Sequence, residues 1–218
     1  MMGQDICIRG SKDFFYLALE DRLKRSGINI TTNSKNASTT IGIDTNDEVD
    51  LLIIPKGSKN NNGRLVIIIH DLIIPTGYSK WSPKDIYLFV EQIKNNEINI
   101  VDKSKIHYLV HIRDAIEAIS MIVLSNNFHD SRGTMNICGR RAWSNESIFN
   151  EIKMLWTRFH NSINYAHTTE SLSKIPSIIK ENNRKNRERP NLDSLNKELI
   201  RAGGDGWHPL TPLRTGLM

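Results

Sequence analysis

Short apolar runs alternate along this chain with stretches in which apolar residues recur at the three- and four-residue spacing of a helix. The runs have a length that suits strands buried on both faces of a sheet. The predicted strands are 5–9, 28–32, 49–54 and 65–69, and the predicted helices are 14–23, 82–95, 115–124 and 148–159. Strands that alternate with helices are typical of a parallel sheet with helices packed on it. The pattern therefore predicts an α/β fold with a doubly wound parallel sheet.

Local polar signals predict helix ends and loops. Ser82, with Pro83 behind it and Asp85 three residues on, predicts a cap, a proline at the first helical position and a capping-box acid. The Asn- and Ser-rich stretch 33–40 and the polar stretch 56–63 are predicted as loops.

The composition narrows the class of protein. With 218 residues, of which 39% are hydrophobic and 24% charged, the chain suits one globular domain with or without a small lobe. No apolar run approaches the roughly 20 residues that span a bilayer, and the N-terminus lacks the basic flank and apolar stretch of a secretory signal. We therefore expect a cytoplasmic protein that does not enter a membrane. Cys7 and Cys138 lie in apolar runs and are predicted to be buried, reduced thiols.

The net charge of +5 does not predict a nucleic-acid-binding protein. The 29 Lys and Arg residues are dispersed among 24 Asp and Glu residues, and no basic stripe is interleaved with aromatic residues. The densest basic run, 180–189, is predicted to be a solvated loop or helix end, with one arginine as a candidate phosphate ligand.

Three segments of the second half carry a shared pattern. They begin at His111 (His-Ile-Arg-Asp-Ala-Ile-Glu-Ala), at Asn136 (Asn-Ile-Cys-Gly) and at Trp207 (Trp-His-Pro-Leu-Thr-Pro-Leu-Arg-Thr-Gly-Leu). In order and spacing they resemble the C-terminal half of the extended short-chain dehydrogenase/reductases, the NAD-dependent nucleotide-sugar epimerases and dehydratases. The resemblance implies a truncated Rossmann-like core in residues 1–135 and a small substrate-lobe-like segment in 136–218. It also implies a nucleotide-sugar as ligand and, if the chain is active, NAD or NADP as cofactor.

The first strand–helix turn departs from the family's GxxGxxG phosphate loop. Gly10 stands at the first glycine and is the candidate cofactor-binding residue, whereas Asp13 and Tyr16 replace the second and third glycines. The second glycine lets bare backbone approach the pyrophosphate at the helix N-terminus, where a carboxylate repels a phosphate. Residues 31–33, Thr-Thr-Asn, stand where NAD-binding members carry an acid for the ribose. The sequence therefore predicts a well-capped turn and no bound dinucleotide.

The family's catalytic tyrosine and lysine, spaced as YxxxK, do not occur in this sequence. The five tyrosines are followed at that spacing by Glu, Ser, Glu, Ile and Thr. In the family the lysine lowers the pKa of the phenol, so that the tyrosine can exchange a proton with the substrate hydroxyl. Residues 50–54 resemble the family's fourth strand and residues 64–76 its sixth. The fifth strand and two long helices, one of which carries the dyad, are therefore predicted to be missing between them, and no catalytic residue is assigned.

The resemblance singles out one candidate substrate ligand. Arg189, followed by Asp193, is similar to the family's late arginine that meets the diphosphate of the nucleotide-sugar. Arg189 is therefore the candidate substrate-binding residue, and Asp193 is predicted to cap the closing helix.

The other residues of the resemblance are predicted to be structural. His111 and Asp114 brace a strand–helix junction by hydrogen bonds, and Asn136 satisfies backbone groups at a strand end. Trp207 and Pro209 are assigned to packing.

Several histidines are candidates for a metal site or a hydrolase active site. His70, Asp71, His107 and His111 lie on separate predicted elements, however, and lack the spacing of known metal motifs. No metal is predicted.

Three functions remain open. The leading hypothesis is a degenerate, non-catalytic relative of the family. It binds a nucleotide-sugar, or pairs with a full-length member or with itself through a surface other than the two missing helices. One alternative is an active NAD(P)-dependent epimerase, dehydratase or reductase with an unusual acid/base. The other is a structural or interaction module without a ligand.

Overall fold

Six parallel strands form the central sheet. The computed structural model describes residues 5–35, 37–75, 77–97, 102, 104–173 and 188–218. The strands are β1 (Asp5–Gly10), β2 (Asn29–Thr31), β3 (Thr39–Ile43), β4 (Val49–Pro55), β5 (Gly63–Ile69), β6 (Leu72–Ile73), β7 (Ile106–His107), β8 (Val110–His111), β9 (Gly133–Ile137) and β10 (Trp143–Ser144). The helices are α1 (Phe14–Arg25), α2 (Lys84–Lys94), α3 (Ile112–Leu124), α4 (Asn145–Ile163), α5 (Asp193–Arg201) and α6 (Leu213–Leu217). The sheet order is β2-β1-β3-β4-β5-β9, and the pairs β6-β8 and β7-β10 lie outside it. The predicted α/β fold with a Rossmann-like parallel sheet is confirmed.

Helices α1, α3 and α5 pack on one face of this sheet. Alternate strand residues, such as Ile53 of β4 and Ile67 of β5, point to that face and share one buried cluster with the three helices. In α1 the buried positions Phe15, Leu19 and Leu23 recur every four residues, which places them on one side of the helix. Full burial of a large apolar side chain contributes about 1.5–3 kcal/mol. This cluster is therefore the main core, and Cys7 and Cys138 are both buried as predicted.

Two short crossovers join the middle strands of the sheet. β3 is joined to β4 by residues 44–48, and β4 to β5 by residues 56–62, whereas parallel strands ordinarily need a dozen or more residues, usually with a helix. The crossovers contact each other, since the Asn62 side-chain amide donates to the Asn46 carbonyl oxygen at 2.8 Å. Strand residues near these crossovers form a small apolar cluster that is separate from the main core: Val49, Leu52, Ile54 and Val66. Short loops with bends and turns thus stand where two helical connections would be expected.

The structure corrects the predicted strands at this place. Thr39 and Thr40, predicted as loop, open strand β3, which pairs with β1 on one side and β4 on the other. β4 is therefore the second strand out from β1. The comparison of residues 50–54 with the family's fourth strand stays a prediction. β3 escaped prediction because Ile41 and Ile43 are its only large apolar residues and an Asn-rich run precedes it.

Two predicted helix caps are wrong. Helix α2 has no side-chain cap: Ser82 does not cap it, and Asp85 forms an ion pair with Lys105 instead of a capping box. Helix α5 begins at Asp193, whose N–H donates to the Asn191 side-chain oxygen at 2.8 Å. Helices α3 and α4 each begin three residues earlier than predicted; in α4 the three added residues are polar and do not show the apolar period.

A second apolar cluster holds α2, α4 and α6 together. Phe89 of α2 meets Phe149 of α4 edge to face, with ring centroids 5.6 Å apart. Arg214 of α6 donates two hydrogen bonds to the buried Glu151 carboxylate of α4, at 2.7 and 3.0 Å. Among the described helices, none has the length and apolar content needed to cross a bilayer. The division of the chain into 1–135 and 136–218 stays a prediction.

Candidate functional site

The carboxyl ends of β1 and β3 meet where the strand order reverses. From β1 the chain continues to β2 on one side, and β3 then pairs on the other side of β1. In parallel α/β sheets the crevice at such a switch point is the usual ligand site. Gly10 is the last residue of β1, Asp13 lies three residues after it, and Asp44 directly follows β3. The segment 77–81 contacts Asp13 and Asp44. This edge is therefore the candidate site.

Gly10 is required by the backbone at this edge. Its φ is +124°, and a Cβ atom built on it would lie 2.3 Å from the Ile43 carbonyl oxygen of β3. Only glycine tolerates both the positive φ and that approach. The close approach is to the protein's own backbone, so glycine is explained here without a ligand. Cofactor binding by Gly10 stays a prediction.

Asp13 caps helix α1 and holds a tryptophan over it. One carboxylate oxygen accepts the Tyr16 backbone N–H at 2.9 Å, and the other accepts the Trp81 indole N–H at 2.8 Å. The Trp81 ring stacks on Phe15 with centroids 4.6 Å apart and is only 2% exposed. The predicted well-capped turn is confirmed, with Asp13 at the cap position and not within the first turn. The sequence contained no signal for the part played by Trp81.

An ion pair lies at the same edge on the β3 side. The Lys80 ammonium lies 2.6 Å from an Asp44 carboxylate oxygen, and the Ser58 hydroxyl donates to the other oxygen at 3.2 Å. Arg9 and Asp47 form a longer pair at 3.5 Å. Asp44 and Asp47 are thus paired with cations of the same chain, whereas Asp13 is held by the two N–H groups of Tyr16 and Trp81.

These residues do not fit the pyrophosphate of a dinucleotide. A helix N-terminus holds a phosphate through first-turn N–H groups that have no other acceptor, but the Tyr16 N–H already donates to Asp13. A phosphate there would also meet the Asp13 charge and the Trp81 ring. Burial, followed by the nearby Glu20 carboxylate, raises the pKa of the Tyr16 phenol. That shift is opposite to the one that would make a tyrosine an effective base.

Polar residues collect at the carboxyl ends of β5 and β9. His70 lies 2.9 Å from the Asn136 side-chain oxygen, and the Asn136 amide donates to the Asn191 carbonyl at 3.1 Å. The prediction that Asn136 satisfies backbone at a strand end is confirmed. The Arg189 guanidinium is exposed and its contact with the Arg140 carbonyl is long, at 3.5 Å.

Three exposed arginines lie around the end of β9. Arg140 and Arg141 lie three and four residues after the last residue of the strand, and Arg189 joins them from the later chain. No carboxylate of the described ranges lies within ion-pair distance of the three. Sequence reasoning missed Arg140 and Arg141, although two consecutive arginines after a strand's carboxyl end are a usable signal for an anion site.

The predicted braces are present on helix α3. The Asp114 carboxylate accepts the backbone N–H groups of Leu210 and Thr211 at 3.2 and 3.1 Å, which ties the C-terminal segment to α3. His111 caps the helix by accepting the Arg113 N–H at 3.2 Å. Burial lowers the pKa of His111, Asp114 opposes that shift, and Arg113 adds to it. The bracing role of His111 and Asp114 is confirmed.

The packing role of the C-terminal tryptophan is also confirmed. Trp207 is 5% exposed, and its indole N–H donates to the Cys138 carbonyl at 2.9 Å. Pro209 is partly buried.

The histidines of the hypothetical metal cluster are not brought together. His107 is buried and lies 2.9 Å from the Asn145 side-chain oxygen and 3.3 and 3.6 Å from carboxylate oxygens of Asp85 and Asp71. His70 contacts Asn136 instead. In the part of the chain that the structure describes, no three His, Cys, Asp or Glu side chains are placed to hold a metal ion.

A depression of about 860 Å³ lies at the opposite edge of the sheet, at the amino ends of β3, β4 and β5. Its Asp50 carboxylate accepts the Thr40 N–H and hydroxyl at 2.9 Å, and its Arg64 donates to the His129 carbonyl at 2.9 Å. Because these charged groups are already engaged and the depression faces away from Gly10, it is not part of the candidate site.

By sequence, the chain matches no family model and no curated protein. By structure it is similar to nucleotide-sugar enzymes. A UDP-glucose 4-epimerase from Thermotoga maritima, solved with UDP-glucose, superposes with a TM-score of 0.57 at 11% identity, covering 98% of this chain and 96% of that one.

Two further solved structures have the same fold. A UDP-glucuronic acid 4-epimerase variant from Bacillus cereus, solved with NAD and a fluorinated UDP-sugar, has a TM-score of 0.58 at 10% identity, covering 98% of this chain and 96% of that one. The RMD protein of Pseudomonas aeruginosa, solved with NADPH, has a TM-score of 0.59 at 9% identity, covering 99% and 95%. At these identities the likeness establishes a common fold and nothing more.

Proposed function

We propose that this chain is a shortened, non-catalytic relative of the NAD-dependent nucleotide-sugar epimerases and dehydratases, located in the cytoplasm. The three C-terminal segments and the fold likeness support the relationship. The observation that carries the loss of activity is the pairing of Asp13 with Trp81 at the N-terminus of α1, which occupies the phosphate-binding end of that helix. The missing YxxxK dyad agrees with it.

The ligand we propose is a nucleotide-sugar, held by its phosphates at the carboxyl end of β9. Arg189, Arg140 and Arg141 are exposed there without a described carboxylate partner. Guanidinium groups bind phosphates through two parallel hydrogen bonds, which makes arginine suited to a diphosphate. Solved neighbours with UDP-glucose and with a UDP-sugar support this ligand class.

Pairing with a full-length relative or with a second copy is the other form of the proposal. The two helices through which the family commonly pairs have no counterpart in crossovers 44–48 and 56–62. Any such pair must therefore form through another surface, and it would be detected as a change in oligomeric state.

The test is isothermal titration of the full chain with NAD, NADP and a panel of UDP-, GDP- and dTDP-sugars. We expect a nucleotide-sugar to bind and the dinucleotides not to bind. Arg189→Ala should weaken sugar-nucleotide binding about tenfold. Arg25→Ala, which removes an exposed arginine from the far end of α1, should leave the affinity unchanged.

Two results would contradict the proposal. Micromolar binding of NAD or NADP would show that the Asp13–Trp81 pair opens and would favour an active enzyme. Absence of all binding, with a monomer at every concentration, would leave a structural module without a ligand.

A further inference from the structure

Helix α4 carries an apolar stripe that is packed only along its first half. Phe149, Ile152, Trp156, Phe159 and Ile163 recur at alternating three- and four-residue spacing, which is the seam spacing of helices that pair side by side. Phe149 and Ile152 belong to the cluster shared with α2. Phe159 and Ile163 each keep 58% of their surface exposed. The seam therefore continues beyond the core of the protein.

The exposed part of the stripe forms one continuous surface with the buried part. Trp156 is partly buried against the cluster, and its ring lies 6.0 Å from that of Phe159. Ile163 follows Phe159 by four residues, so the two side chains lie on the same face of α4. Large apolar residues clustered on an exposed face mark interaction sites more often than isolated ones do.

The part of helix α4 that carries the exposed stripe is positively charged. Between residues 152 and 163 the helix contains Lys153 and Arg158 and no Asp or Glu. The nearest acid on the helix, Glu151, is already paired with Arg214. Lys153 is exposed beside the stripe. Because the whole chain also carries +5, a second copy would bring like charge to this face, whereas an acidic partner would bring the opposite charge.

We propose that the second half of α4, residues 153–163, is a docking surface for an acidic amphipathic helix of another protein. Such a helix would lay its apolar face on Trp156, Phe159 and Ile163 and place its carboxylates beside Lys153. This is the helix-in-groove mode of recognition, in which apolar anchors supply affinity and flanking charges supply orientation. From Ile152 to Ile163 the stripe is about 16 Å long, which matches about three turns of a partner helix. The inference does not depend on nucleotide-sugar binding.

The test uses the full chain and two labelled helical peptides of about 20 residues. Both have leucines at the heptad seam positions, with glutamates on the flanks of one and lysines on the flanks of the other. Fluorescence anisotropy should show binding of the acidic peptide only. Phe159→Ser and, separately, Ile163→Ser should each weaken it about tenfold. Lys153→Glu should weaken the acidic peptide and strengthen the basic one.

Leu17→Ser is the matched control, because Leu17 is a 50% exposed apolar residue on α1 and its loss should leave the affinity unchanged. Circular dichroism spectra check that each variant folds. Equal binding of both peptides, or binding unaffected by Phe159→Ser, would overturn the proposal.

Two other occupants give distinct results, and either would replace the acidic helix. A second copy would appear in sedimentation velocity as a dimer that Phe159→Ser abolishes. A membrane would appear as binding to anionic lipid vesicles without binding of the acidic peptide.

Discussion

The hydrogen bond between Asp13 and Trp81 joins residues 68 positions apart in the sequence, and a double-mutant cycle measures it. Asp13→Ala removes the cap of α1, which costs about 1 kcal/mol. It also leaves the Trp81 indole N–H buried without its acceptor, which costs about 1–3 kcal/mol. We therefore expect Asp13→Ala to lower the free energy of unfolding by roughly 2–4 kcal/mol.

The second arm of the cycle removes the donor and keeps a ring. Trp81→Phe retains an aromatic partner for Phe15 but lacks the N–H, so Asp13 keeps its cap and loses one bond. In the double variant Asp13→Ala/Trp81→Phe the cap of Tyr16 is still lost, but no indole N–H is left without an acceptor, so the two losses should not add. We expect a coupling energy of about 1–2 kcal/mol, within the range for residues in direct contact.

Urea unfolding followed by far-UV circular dichroism is the assay, because Trp81→Phe changes the fluorescence signal. Asp13→Ser is the control for the cap alone: its hydroxyl can accept the Tyr16 N–H but does not reach Trp81. A coupling energy below about 0.5 kcal/mol, the additivity expected of independent sites, would refute the view that Asp13 and Trp81 form one unit at the head of α1.

Three further predictions concern other sites. Gly10→Ala should lower the free energy of unfolding by more than about 2 kcal/mol, because its Cβ would lie 2.3 Å from the Ile43 oxygen at a φ of +124°; unchanged urea unfolding would contradict this. His111 has a pKa lowered by burial, so below about pH 6.5 the unfolded chain takes up the proton first. Wild-type stability should then fall between pH 7 and 5.5 more steeply than that of His111→Asn, and parallel curves would exclude the effect. Arg214→Met leaves the buried Glu151 carboxylate unpaired and should lower the free energy of unfolding by about 1–3 kcal/mol. The loss is smaller than for a fully buried pair because the Arg214 side chain is 41% exposed. Adding Glu151→Gln should recover part of the lost stability in thermal melts, and no recovery would argue against the pairing.

Much of the fold could be predicted because its signals are local. The apolar runs of β4 and β5 and the four-residue period of α1 each lie within about a dozen neighbouring residues. The link of Asp114 to the C-terminal segment was expected only as a brace, and its partners Leu210 and Thr211 came from the structure. β3 was missed because Thr39–Ile43 is stabilised by its pairing with strands on both sides and not by its own composition.

The candidate site was predictable only in part. The sequence showed that Asp13 stands where a glycine would admit a phosphate, and that no tyrosine is followed four residues later by a lysine. It did not show that Trp81 would lie over Asp13, that Lys80 would pair with Asp44, or that Arg140 would lie beside Arg189. These contacts join separate elements, and nothing in the spacing of the residues indicates them.

The sequence by itself determined the alternation of strands and helices, the cap at Asp13 and the absence of a YxxxK dyad, because periodicity, capping and motif spacing depend on residues close together in the chain. Only the tertiary structure decided the strand order, the short crossovers beside β4, the Asp13–Trp81 contact at the N-terminus of α1 and the exposed seam of α4. Those features arise from which faces meet and which do not, and a contact between distant residues is stabilised by the burial and hydrogen bonding of the assembled fold.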